Sequence, residues 1–245
     1  MASAVVHYSA SALTDLGRKR PSNEDAYGLS IEHGVYVVCD GMGGAAAGEV
    51  ASTLAVAEMM RLLTERPWES SPPVEAAEAV AAANEAIFSR SQRNQNLNGM
   101  GTTLVALMVE DRHGWMVNVG DSRGYRLRNS HLEQITLDHS LVEEQIRMGQ
   151  MSPQEALRSP LKNVITRALG TQSVVAPDIF EFETEPGDLF LLCSDGLVRE
   201  LADSKIESLL RIEGTLEEKC SCLVEAANQS GGHDNITCLL VRADT

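Results

Sequence analysis

The chain has 245 residues, 43% of them hydrophobic and 22% charged, and 20 Lys and Arg against 35 Asp and Glu leave a formal net charge of −15. That is the composition of an ordinary globular chain; it excludes the disordered class, and no apolar run nears the roughly 20 residues a bilayer crossing needs. A field of this sign repels nucleic acid and anionic membrane, and it draws divalent cations toward clustered carboxylates.

The N-terminal stretch MASAVVHYSASALTDLGRKR has no basic start followed by an apolar signal core, so a cytoplasmic location is expected. Residues 27–31 read as a strand just behind Glu24 and Asp25, and residues 35–39 as a second, apolar one. Two helical blocks rich in Ala, Glu, Leu and Met follow at 45–63 and 74–90, separated by the turn-forming WESSPP of residues 68–73. Strands are expected at 102–109, 115–119 and 124–127, then a helical stretch opened by Ser152, Pro153 and Glu155. Further strands fall at 179–182 and 189–193. A helix pair comes next, with Asp203 as candidate cap of its first member and a Thr215–Glu218 capping box on its second, before a last strand at 236–241.

This order is not the strict alternation of a doubly wound parallel sheet. The expected fold class is α+β: a four-layer α-β-β-α sandwich of two antiparallel sheets flanked by helix pairs, with a helical flap insert. One core suits this length, so residues 1–245 are expected to form a single domain. The five cysteines, Cys39, Cys193, Cys220, Cys222 and Cys238, make no even-numbered disulfide scaffold and are expected to be reduced. Cys220 and Cys222, two apart on a helix, should point to different sides.

Acids at strand ends carry the chemistry. In VVCDGMGG, Asp40 closes an apolar strand and is followed by Gly41, Gly43 and Gly44, which let main chain approach a ligand closely. Asp195 in LLCSDG and Asp121 in NVGDSR repeat the arrangement, and Asp234 in GGHDNITCLLV stands just ahead of the last strand. If these ends converge, an all-carboxylate cluster needs cations to offset its repulsion. Oxygen-only ligands favour Mg²⁺, Mn²⁺ or Ca²⁺ over zinc or copper. Two such ions can deprotonate a bridging water and neutralise phosphoryl oxygens. Arg20, five residues before Asp25, then suits a bidentate grip on a phosphate.

The ordered blocks DLGRKRPSNED, CDGMGG followed by Gly48 and Glu49, MGTTL, VGDSR, DHS, TRALG, CSDGL and GGHDNIT, from about Thr14 to Val241, resemble the type 2C metal-dependent protein phosphatases, the PPM family, in their compact bacterial form. The resemblance implies a serine/threonine phosphatase that hydrolyses phosphoserine and phosphothreonine by direct attack of a metal-bridging water. It implies that Asp40 bridges two tight Mn²⁺ or Mg²⁺ ions, that Gly41 lends its carbonyl, and that Asp195 and Asp234 complete one ion's shell. Asp121 with Asp195 would hold a third, weaker ion. Glu24 and Asp25 would order metal-bound waters, Arg20 would hold the substrate phosphate, Asn235 would support the Asp234 loop, and residues 138–170 resemble a flap beside the site.

One departure is Ala45, where relatives often carry a histidine proposed to protonate the leaving group. A metal-ordered water is expected to take that role, with His139 structural and His233 facing solvent. The expected partners are phosphorylated proteins and a partner serine/threonine kinase, with no nucleic acid, no membrane, and a monomeric state. A catalytically dead regulator is disfavoured by the complete Asp40, Asp195 and Asp234 set. A nucleotide phosphatase is disfavoured by the absence of a Gly-x-x-x-x-Gly-Lys loop.

Overall fold

The structure, a computed structural model, describes residues 6–43, 45–65, 70–156 and 158–244. In chain order the elements are β1 (His7–Asp15), β2 (Asp25–Ser30), β3 (Val35–Met42), α1 (Ala45–Thr64), α2 (Pro72–Arg93), β4 (Gly101–Thr102), β5 (Leu104–Glu110), β6 (His113–Val119), β7 (Arg123–Arg128) and β8 (His131–Gln134). Then come α3 (Leu141–Arg147), α4 (Pro153–Ala156), β9 (Asp178–Glu183), β10 (Leu189–Cys193), α5 (Asp195–Val198), α6 (Asp203–Leu210), α7 (Leu216–Ser230) and β11 (Ile236–Asp244). One sheet runs β1-β11-β10-β7-β8 and the other β2-β3-β5-β6-β9, with the short β4 beside β3; the register pairs are antiparallel throughout.

The two sheets face each other and each carries helices on its outer side, so the α-β-β-α sandwich of the sequence reading is what forms. The period-2 geometry of a strand explains why its central members read as unbroken apolar runs. In β3, Val35, Val37 and Cys39 pack under α1 and α2, while Tyr36 and Val38 point into the space between the sheets. In β10, Leu189, Leu191 and Cys193 meet α6 and α7, and Phe190 and Leu192 face inward. Both faces are covered, so neither can be polar. The helices answer with one apolar stripe each: Ala47, Ala51, Ala55, Met59 and Leu63 of α1 recur every four residues and are all buried.

Two strands were not legible. Strand β1 pairs with β11 along its whole length, from His7 opposite Asp244 to Asp15 opposite Ile236, and β8 pairs only with β7. Both are edge strands of the first sheet, half-buried and partly polar, so their partner's ladder rather than an apolar pattern holds them extended. At α6 the N-cap is Ala202 rather than Asp203. The Asp203 carboxylate lies in the first turn and accepts a hydrogen bond from the Tyr125 hydroxyl at 3.1 Å, which takes it away from capping. The Thr215–Glu218 capping box forms as read. Ser152 and Glu155 likewise bond reciprocally ahead of α4, although that helix is a single turn. No disulfide joins the described cysteines, and Cys220 is buried while Cys222 is exposed, as two-residue spacing on a helix requires.

The segment that leaves β8 carries α3 and α4 and is stitched back to the sandwich at two isolated bridges, Ser140 with Ile165 and Thr102 with Leu169. Its return brings residues 163–168 to the mouth of the cavity described next.

Candidate active site

Residues from both sheets meet at one place. Asp40 lies inside β3 rather than at its end, directly opposite Asp25 of β2. Its backbone is clamped: its N–H donates to Thr103 Oγ1 at 3.0 Å, and its carbonyl accepts from the Thr103 N–H at 2.9 Å and the Thr102 hydroxyl at 2.9 Å. The next residue, Gly41, meets Gly48 of α1 backbone to backbone, and a methyl group on either would collide with the opposite main chain or with Glu24. The first turns of α1 therefore approach β3 only because both positions are glycine.

The other sheet supplies Asp195 at the start of α5, behind β10, and Asp234 ahead of β11. Asp121 follows β6 after Gly120, whose φ of +109° suits a residue without a side chain. A cavity of about 590 Å³ is lined by Arg20, Glu24, Asp40, Gly41, Asp195 and Asp234 among others. Asp121 lines an adjoining cavity of about 350 Å³ that shares Asp195 and Arg199 with it. The sequence-picked acids thus converge.

The supporting residues come largely from the opposite sheet. Asp25 Oδ2 accepts hydrogen bonds at 2.7 Å from the hydroxyls of both Ser194 and Thr237, which stand inside the CSDGL and GGHDNIT blocks but had been given no role. Asn235 ties three segments together: its side chain donates to the carbonyls of Leu16 and Ser22 at 3.0 Å, and its Oδ1 accepts from the Glu24 N–H at 2.9 Å. Its own N–H donates to Asp234 Oδ1 at 2.9 Å. Asn235 therefore braces the Glu24 turn as well as the Asp234 loop.

Electrostatics report the crowding. Burial, followed by repulsion from Asp25, Asp195, Asp121 and Asp234, holds the Asp40 carboxyl well above the usual carboxylate range. Burial and then Asp121 do the same to Asp195. Burial pushes Asp25 up to about 6 against the opposing pull of its Thr237 and Ser194 hydrogen bonds. Oδ1 of Asp25, Asp121 and Asp195 is in each case buried without a hydrogen-bond partner.

Two arginines enter this cluster. Arg20 Nη2 donates to Asp234 Oδ2 at 2.6 Å, with its side chain 48% exposed at the rim. Arg199 was missed by the sequence reading: Nη2 contacts Asp195 Oδ2 and lies 3.6 Å from Asp121 Oδ2, and Nη1 lies 3.5 Å from Asp234 Oδ2. Its signal was present as an acid followed four residues later by an arginine, a spacing that brings the two together on one helical turn.

Whether the residues fit cations depends on which carboxylates are asked. Among the described residues no three Asp, Glu, His or Cys groups close on one point as a finished ligand set. Asp40, Asp195 and Asp234 nonetheless offer only oxygen, repel one another, and leave Asp195 Oδ1 free, which fits hard divalent ions. At the Asp121–Asp195 pair the Arg199 guanidinium already bridges the two groups, and its other nitrogen lies 3.5 Å from Asp234.

The histidines are placed outside this chemistry. His139 is buried, accepts from the Gly120 N–H at 3.1 Å and lies 3.1 Å from Asp178 through its other nitrogen, so both ring nitrogens are engaged, one on the Asp121 turn and one on β9. His233 is exposed and 2.7 Å from Glu200. The side chain of Ala45 lies outside the described residues, and so does Gly44.

Two antiparallel sheets between helical layers, gathering carboxylates from both sheets into one cavity beside an arginine, define a metal-dependent phosphate-ester hydrolase. Residues 18–238 match the protein phosphatase 2C family. Over 242 residues the chain is 41% identical to serine/threonine phosphatase stp of Listeria monocytogenes serotype 4b, with 94% of each chain covered. Its structure is similar to the crystal structure of the Mycobacterium tuberculosis serine/threonine phosphatase PstP/Ppp, with a TM-score of 0.92, 36% identity, and 98% of this chain and 100% of that one covered. It is also similar to the catalytic domain of serine threonine protein phosphatase PstP in complex with 2 manganese ions, with a TM-score of 0.89, 36% identity, and 99% and 100% covered. The chain belongs to the protein phosphatase 2C family, and it is a metal-dependent serine/threonine protein phosphatase. Among the described residues no helix is long and apolar enough to cross a membrane.

Proposed function

We propose that residues 1–245 act as a single catalytic domain that removes phosphate from phosphoserine and phosphothreonine by direct attack of water, in the cytoplasm, as a monomer, opposing a partner serine/threonine kinase. The observation that carries this reading is the meeting of Asp40, Asp195 and Asp234 in one cavity, with Arg20 at its rim. Asp40 would bridge two Mn²⁺ or Mg²⁺ ions, the Gly41 carbonyl would assist, and Asp195 and Asp234 would complete one ion's shell. Such ions, when bound, lower the pKa of the attacking water and neutralise phosphoryl oxygens.

The chain's own residues do the rest. Arg20 orients the phosphate with a planar fork, and it reaches the substrate by exchanging its Asp234 contact for phosphoryl oxygens. Glu24 and Asp25 orient water within the cluster, Asp25 being held in place by Ser194 and Thr237. Asn235 keeps the Asp234 loop and the Glu24 turn in register. With His139 engaged on both nitrogens and His233 paired to Glu200, the leaving oxygen takes its proton from ordered water.

The direct test is Mn²⁺-dependent phosphate release from a phosphothreonine peptide, with EDTA as the control and a nucleotide as the competing substrate class. Release from the nucleotide but not the peptide would sink this reading. Arg20→Lys is expected to raise KM for the peptide about tenfold, because a point charge cannot replace two parallel hydrogen bonds. Mn²⁺ affinity should hold within a few-fold. A KM equal to the parent's would return Arg20 to the ordinary surface.

A further inference from the structure

Arg199 follows the single turn of α5, and its N–H donates to the Asp195 carbonyl at 2.9 Å. From that anchor the side chain folds back over its own turn to lie on Asp195 Oδ2, 3.6 Å from Asp121 Oδ2 and 3.5 Å from Asp234 Oδ2. The Asp121 and Asp195 side chains are each 9% exposed and Arg199 is 32% exposed, so the guanidinium covers the carboxylate pair from the solvent side. These are the two acids to which the sequence resemblance assigns a third ion.

A guanidinium is charged at every working pH, and one that contacts both carboxylates supplies the compensation they need without any free metal. The same guanidinium lies 3.5 Å from Asp234, but there Asp40 adds a third carboxylate to the set. A divalent ion held by Asp121 and Asp195 alone would sit at contact distance from a fixed charge that has already offset half of theirs. Like-charge repulsion at such range offsets the attraction of at least one carboxylate. Resting on the two-ion reading above, we infer that Arg199 stands in for a third ion, as a tethered counter-cation that neutralises the Asp121–Asp195 pair. Arg199 is then a positioning residue acting through Asp195, and the rate saturates with metal in one phase.

Equilibrium dialysis against Mn²⁺, with the bound metal counted by atomic emission, tests this on the parent and on Arg199→Ala, Arg199→Lys and Asp121→Asn. Phosphopeptide turnover is followed over the same Mn²⁺ range. The parent should bind two ions. Arg199→Ala should gain a third with at least about tenfold higher affinity than the parent shows at that pair, and a second activating phase should appear in its metal response. Arg199→Lys, which restores the positive charge, should return to two ions and one phase. Asp121→Asn should leave the count at two, and it decides the matter even if Arg199→Ala does not fold. A parent that binds three ions, losing the third in Asp121→Asn, overturns the inference alone. A parent that binds fewer than two overturns the reading beneath it.

Discussion

Asp40→Asn lowers kcat for phosphopeptide hydrolysis by at least about 10³-fold, the several kcal/mol that a bridging metal ligand supports, and raises the melting temperature of the metal-free protein. The two effects share a cause. Asp40 is surrounded by Asp25, Asp195, Asp121 and Asp234, so its charge works against the fold when no ion offsets it, and on the two-ion reading that charge would serve ion binding. Asparagine keeps the shape and removes the charge. Calorimetry should also show weaker Mn²⁺ binding. Turnover within tenfold of the parent, or a metal-free variant that melts below it, would falsify the bridging role.

The same crowding sets a pH dependence. The folded pKa values of Asp25, Asp40 and Asp195 are raised above the ordinary carboxylate value near 4, so the folded metal-free protein holds protons that the unfolded chain releases. Their stabilising contribution is complete below about pH 4 and is lost as pH rises, through about 6 for Asp25 and further for Asp40 and Asp195. The gain in melting temperature on adding Mn²⁺ should therefore grow between pH 5 and pH 8, as thermal scans with Mn²⁺ and with EDTA would read. A constant gain would mean that these carboxylates are already ionised in the metal-free fold.

The largest stability effect is expected at Arg123. Its Nε donates to both oxygens of Asp138 at 3.0 Å and its Nη2 to Oδ2 at 2.7 Å, while Nη1 donates to the Tyr125 hydroxyl at 3.1 Å. Tyr125 in turn donates to Asp203, and Gln134 adds a donor to Asp138. The pair is 26% and 12% exposed, so removing one partner strands a largely buried charge. Arg123→Met should cost about 3 kcal/mol in denaturant unfolding, and Asp138→Asn on that background should recover part of it, since it removes the stranded charge. Asp138 also opens the segment that returns to the cavity mouth, so KM should rise in the single variant. A double variant no more stable than Arg123→Met would show that the network is held by shape rather than charge.

The central strands, the helical blocks and the acids that meet at the cavity were legible from the sequence. Strands covered on both faces must be apolar throughout, helices covered on one face repeat their buried apolar residues every three or four positions, and carboxylates in or near strand ends beside glycine stand out against both patterns. Local spacing also carried the Thr215–Glu218 box, whose partners lie within one turn. What escaped depends on residues distant in the chain. The edge strands β1 and β8 are extended because β11 and β7 pair with them, and no pattern of their own required it. Ser194 and Thr237 become partners of Asp25 only when the ends of β10 and β11 in one sheet meet the start of β2 in the other. Asp203 looked like a cap until the Tyr125 hydroxyl engaged it. Arg199 reads as one more surface arginine until the fold sets Asp121 and Asp234, 78 positions before it and 35 after it, against the carboxylate four residues behind it. Composition and short-range spacing determine which residues are buried and which can bind ions; the pairing of charges across two sheets is decided by the tertiary structure, because Coulomb energy depends on distance in space and the sequence records only distance along the chain.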